Sequence, residues 1–176
     1  MNKTNDAPEI RQMFNVINDY DTALTLLDDY DHQRMSRPQG HETTYILTYD
    51  ECRRLIETMR FNIGFGLFGH EKDDSFRGSI GDIYQTFAGK DVYLSVEEKA
   101  ANLLYFVTKN HSFNDGNKRI AAAIFLYFLD RNGILYDEYG QKRIEDYTLV
   151  ALTIMIAESR MEEKEMMVSV VMSCIG

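Results

Sequence analysis

His111-Ser112-Phe113-Asn114-Asp115-Gly116-Asn117-Lys118-Arg119 sets an imidazole, a carboxylate, a glycine and two adjacent cations between two apolar segments. Upstream, Ser95-Val96-Glu97-Glu98 has the form of a capping box. It opens a helix whose Ala100, Leu103, Leu104, Phe106 and Val107 face a core and which stops near Asn110. Downstream, Ile120 to Leu129 is apolar nearly all round, as a central buried helix is, and Asn132-Gly133 is a natural stop. The nine residues therefore read as a turn between two core helices.

A second helix that starts at about Gly116 or Asn117 turns the free N–H groups of Gly116, Asn117 and Lys118 into the turn, where the helix dipole adds to their attraction for an anion. Phosphate is the natural guest. Gly116 allows close backbone approach, and Lys118 and Arg119 occupy a first turn that favours acidic residues, which points to a bound anion. Asp115, just before the nest, can hold Mg²⁺ that bridges phosphate oxygens, and it can equally be a plain N-cap. His111 can take a proton from an incoming hydroxyl, and it can equally be a cation at a helix end. Residue types alone stop at a phosphate site. Phe113 reads as the plug that fixes the turn.

Working outward, Gly78 to Tyr93 alternates irregularly around Ala88-Gly89-Lys90-Asp91, a pattern for a short hairpin or flap. Gly64-Phe65-Gly66-Leu67-Phe68-Gly69 has the letters of a dinucleotide-binding turn but follows a helix instead of a strand, so it reads as a flexible loop. Thr48-Tyr49-Asp50-Glu51 is another capping box, opening a helix with Leu55, Ile56 and Met59 that ends near Asn62. Residues 32 to 44 read as a loop. From Glu9, the recurrence of Ile10, Met13, Ile17, Tyr20, Leu24 and Leu27 marks one helix with a heptad-like stripe, ending in the acids Asp28, Asp29 and Asp31. That stripe packs on its own domain, on a partner helix or in a homodimer seam. The acids lack the turn glycine and terminal Glu of a calcium loop. Residues 1 to 8 read as frayed. Past Gly133, residues 134 to 143 read as a short extended or turn segment with Gly140, then 144 to 158 and 161 to 175 as closing helices. Met155, Met161, Met166, Met167 and Met172 read there as gap-filling core.

The 176 residues suit one domain of ordinary size. A net charge of -9 disfavours nucleic acid and anionic membranes as broad partners while leaving room for a local phosphate site. Cys52 and Cys174 form neither a disulfide framework nor a zinc pattern, so they read as buried or idle thiols. Neither a secretory signal nor an apolar run of membrane-spanning length is read, and the expectation is a soluble cytoplasmic protein.

The nine-residue turn resembles the signature of the Fic/Doc family, His-x-Phe-x-Asp/Glu-Gly-Asn-Gly-Arg-x-x-Arg, at His111, Phe113, Asp115, Gly116, Asn117 and Arg119. The resemblance covers about residues 45 to 160. It divides the chain into an N-terminal helix and linker, 1–44, and a Fic/Doc-like domain, 45–176. It implies an all-α fold with a short β-hairpin flap beside the active-site loop. It also implies transfer of AMP from ATP to a Ser, Thr or Tyr hydroxyl of a target protein, with Mg²⁺ as cofactor. Carried over position by position, His111 is the general base and Asp115 the metal ligand. Gly116, Asn117 and Arg119 form the phosphate cradle with Lys118 beside it, and Ile83, Tyr84 and Phe87 lie on the flap that docks the target by strand addition. Lys118 stands where the common motif has Gly, and Ala122 where it has a second Arg. The Doc branch is similar in both respects and phosphorylates its target, although Doc-like motifs carry Ala at the place of Gly116. The alternatives are thus a Doc-like phosphotransferase or toxin with an antitoxin or regulator as partner, and an inactive nucleotide- or protein-binding module. Ser159 to Lys164 partly echoes the family's inhibitory motif. With Ala122 in place of the Arg, an exposed charged helix start is expected there.

Overall fold

A computed structural model describes residues 6–64 and 66–176; the readings that fall on residues 1–5 and Phe65 lie outside it. The chain divides into two compact units, Met1–Ser36 and Arg37–Gly176.

The smaller unit contains α1 (Asp6–Asp19) and α2 (Asp21–Asp31) in place of the single helix expected. The break is one residue wide. The N–H of Tyr20 bonds Ile17 O at 3.3 Å, a tightened turn, and the regular ladder resumes with Leu24 N–H to Tyr20 O at 3.0 Å. Asn18, Asp19 and Asp21 surround the break, and such side chains favour local backbone bonds over helix continuation.

The larger unit holds α3 (Tyr49–Ile63), α4 (Ser75–Asp82), β1 (Thr86–Phe87), β2 (Lys90–Asp91), α5 (Val96–Asn110), α6 (Asn117–Arg131), α7 (Asp146–Glu158) and α8 (Lys164–Ile175). The helices dominate, and the two antiparallel strands form the only sheet among the described residues. The all-α expectation with a short hairpin is borne out. Helix α5 is the axis, packed by α4, α6, α7 and α8. Its small Ala100 and Ala101 let neighbours approach, and Leu103, Leu104 and Val107 fill the core against Ile120, Ile124, Phe125 and Phe128 of α6. Helix α3 begins as its sequence requires: Thr48 accepts from Glu51 N–H and Glu51 reaches back to Thr48 N–H. Ser95 likewise accepts from Glu98 N–H, but the Glu98 carboxylate turns outward to Leu94 N–H at 3.1 Å and to Arg37 at 3.0 Å.

Half of the expected linker joins the domain. Arg37 also pairs with Glu165 at 2.6 Å, Asn132 Oδ1 accepts from both Thr44 and Tyr45 N–H at 3.1 Å, and Tyr84 Oη accepts from Leu47 N–H at 2.6 Å. Cys52 is fully buried, and burial pushes its thiol up to about 12, so it is an idle core thiol as expected. Met167 and Met172 fill core gaps, whereas Met161 lies on the surface in the short 3-10 turn Met161–Glu163. Glu163 there pairs with Arg160 at 2.9 Å, giving the exposed charged helix start.

The flap is smaller than its sequence pattern. Residues 75–82 are helical, and only Thr86–Asp91 make the hairpin, turning through Ala88 and Gly89, both at positive φ (52° and 78°). Its base is held by charge. The Lys99 ammonium, 1% exposed, donates to Asp91 Oδ2 at 3.1 Å and to Tyr93 O at 2.5 Å. Lys164 Nζ lies 4.7 Å from the centre of the Phe106 ring and 3.2 Å from Tyr93 Oη. Two-residue strands cannot sustain themselves in water, so these tethers set the hairpin's position. Replacing Lys99 by Met removes the tether without orphaning a buried charge, because Asp91 is half exposed. Amide exchange of Lys90 to Val92 should then accelerate at least about tenfold while the thermal midpoint moves by less than about 4 °C; unchanged exchange would place the tether elsewhere.

Candidate functional site

The turn is closed at both ends by backbone geometry. His111 ends α5 in the left-handed region (φ 47°, ψ 48°), uncommon for a residue with a Cβ, and this reverses the chain with its imidazole exposed. Phe113 is fully buried and meets Phe76 edge to face at 4.8 Å, the plug that its position suggested. Asn117 ties the turn to itself. Its Oδ1 accepts from Phe113 N–H at 2.9 Å and its Nδ2 donates to Phe113 O at 2.8 Å. Its side chain is therefore a clamp, and its contribution to an anion is its backbone N–H.

Gly116 caps α6 at φ 87°, and the first amide to bond within the helix is Ile120 N–H, to Gly116 O at 2.9 Å. The N–H groups of Asn117, Lys118 and Arg119 precede it and have no acceptor inside the helix. They face an open cleft of about 280 Å³ lined by His111, Asn114, Asp115, Gly116, Asn117, Lys118 and Arg119. The expected site residues of the turn, His111, Asp115, Gly116, Asn117, Lys118 and Arg119, thus line one cavity, and the plug Phe113 lies outside it. Asp115 is not the N-cap. It stands one residue earlier with its carboxylate exposed and 3.6 Å from Arg119. One exposed carboxylate beside the free amides of a helix start fits the donor set of Mg²⁺, which uses few protein ligands. Among the described residues no cluster of three or more His, Cys, Asp or Glu is placed to hold a metal by protein alone.

Sequence reasoning missed the strap. Residues 68 to 72, of which Phe68 and Gly69 are expected in a flexible loop, run along the turn: Gly69 N–H bonds Asp115 O at 3.1 Å, Asn114 N–H bonds His70 O at 2.9 Å, and Lys72 N–H bonds Ser112 O at 2.8 Å. The strap is in turn fixed from α3, where Arg53 donates to Gly69 O at 3.0 Å and Tyr49 Oη donates to Glu71 at 2.6 Å. That bond, ahead of burial, raises the Tyr49 phenol above its ordinary value. The Phe68 ring lies under the turn with the Arg119 guanidinium stacked 4.6 Å over it. A Cβ on Gly116 would come within 2.2 Å of that ring. No periodicity announces such a contact; the two glycines are its only trace in the sequence.

The docking residues need correction. Ile83 is fully buried at the end of α4, and Tyr84 is half-buried with its hydroxyl engaged by Leu47, so both anchor the hairpin from inside. Of the three, only Phe87 is presented, 81% exposed on β1. Beside the cleft lies a second hollow of about 230 Å³, lined by Lys118, Arg119, Ala122, Leu149, Val150, Thr153 and Ile154. Its floor is Ala122 of α6 and its far wall α7, and it shares Lys118 and Arg119 with the cleft.

A helical core around α5 and α6, carrying an anion nest with His111 and Asp115 at its mouth, is the class of structure that the turn's resemblance described. Residues 46–129 match the model of the Fic/DOC family, which bears out that resemblance over this stretch. Over 62 residues, 35% of this chain, the sequence is 42% identical to Toxin Doc of Mycolicibacterium smegmatis; the chain spans about half, 48%, of that relative's length. No helix among the described residues is long and apolar enough to cross a membrane.

Gly116→Ala should lower stability by about 2–4 kcal/mol, from its left-handed backbone and its overlap with Phe68. Adding Phe68→Ala should relieve only the overlap. Denaturant unfolding of both single variants and the double variant should give a coupling of at least about 1 kcal/mol, and additivity within about 0.5 kcal/mol would rule the contact out.

Proposed function

We propose that the chain transfers AMP from ATP to a hydroxyl of a target protein. The single observation that carries this reading is that the cleft and the apolar hollow lie side by side and share Lys118 and Arg119 as lining residues. A purine suits the hollow. Only a ribose separates the base from the α-phosphate, so a base seated there brings the α-phosphate into the nest beside His111. Asn117, Lys118 and Arg119 N–H groups bind its oxygens, and the Arg119 guanidinium, released from Asp115, neutralises charge. Mg²⁺, held by Asp115, would supply charge stabilisation on the phosphates when bound. His111 accepts the proton of the incoming hydroxyl as its oxygen bonds the α-phosphorus. The bond from that phosphorus to the bridging oxygen breaks, and pyrophosphate leaves. Phe87 and the free edge of β1 offer the target a strand to pair with.

Phosphate transfer is the second reading, favoured by Lys118 and by the similarity to Toxin Doc. There the γ-phosphate occupies the nest, and the protein acts as a toxin restrained by an antitoxin. ATP labelled separately at the α and γ positions separates the two. The expectation is α-label on protein, reduced about 100-fold or more by His111→Ala. Label from γ alone would replace AMP transfer by phosphate transfer, and no label from either would leave a binding module.

A further inference from the structure

Along α1 and α2 the apolar Ile10, Met13, Phe14, Ile17, Leu24 and Leu27 are all between 47% and 61% exposed. The two helices have 14 and 11 residues, and isolated helices below about 12–15 residues are marginal in water. Their helical state therefore calls for a surface against the apolar residues of each helix.

Charge chooses among the surfaces. Lipid-bound amphipathic helices carry Lys and Arg on their polar face, whereas residues 6–31 hold seven acidic side chains against Arg11 alone. A bilayer with anionic headgroups repels them. With Ile10 at the first heptad position, the positions flanking the stripe carry Glu9, Asp21 and Asp28 and no cation. A second copy would bring the same sign to the same seam. Asp28 is already answered by Arg34 at 2.6 Å, so Glu9 and Asp21 carry the selection.

We propose that α1 and α2 dock an amphipathic helix of another protein, one whose apolar stripe is flanked by Lys or Arg. The proposal is independent of the transfer chemistry. Its test uses the full chain and two synthetic four-heptad peptides with identical Ile/Leu stripes, one flanked by Lys and one by Glu, followed by fluorescence anisotropy. The Lys peptide should bind at least about tenfold tighter, with affinity falling as salt is raised. Ile17→Asp should abolish binding without moving the thermal midpoint of the larger unit, and the double variant Glu9→Lys/Asp21→Lys should transfer the preference to the Glu peptide. Equal binding of both peptides, binding of neither, or a preference untouched by the double variant would overturn the proposal. So would a free chain that sediments as a dimer split by Ile17→Asp, which assigns the stripe to a second copy, or flotation with anionic vesicles, which assigns it to lipid.

Discussion

The hydrogen bonds between the strap, residues 68 to 72, and the turn, residues 112 to 115, are the constraint on which the site depends. The turn must hold His111 in the left-handed region, at a cost of about 1–2 kcal/mol. Three strap bonds and the two made by Asn117, each contributing about 0.5–1.5 kcal/mol, exceed that cost together. Phe113, buried against Phe76, adds an apolar anchor directly beneath. The result is a helix start whose free N–H groups are held in position by the fold itself.

The charge of the whole molecule and the charge of the site have opposite signs. A net charge of -9 acts over the surface at large, while Lys118, Arg119 and three unbonded amides act within one cleft. At physiological salt, fields decay over about 8 Å, so a phosphate inside the cleft meets the local cations more than the distant acids. Arg119 is shared among Asp115, the Phe68 ring and the cleft, and it connects the carboxylate with the strap.

What was legible in the sequence was what obeys a local rule. The period of Leu103, Leu104 and Val107, the apolar run of Ile120 to Leu129, the Thr48 cap and the plug at Phe113 all follow from spacing or from one residue's chemistry, and the structure has them. The gathering of His111, Asp115 and the α6 amides in one cleft also follows, because they are neighbours along the chain. The pairings between remote segments were not legible. Gly69 with Asp115 and Phe68 with Gly116 join stretches that no repeat connects. Alternation in a short window does not separate a strand from a one-faced helix end, so Ile83 and Tyr84 read as flap residues; burial decides, and burial is a property of the whole fold. The break at Tyr20 left the heptad stripe intact in the letters, so periodicity passed over it.

The hairpin presents Phe87 to solvent and is attached by the ammonium of Lys99. An attachment of that kind has its own response to heat. Apolar stabilisation per unit area levels off on warming, but the cost of withdrawing a charge from water declines. As the chain is warmed, the grip of Lys99 on Asp91 and Tyr93 therefore weakens less than the packing of the helices around α5, on which Lys99 itself is carried.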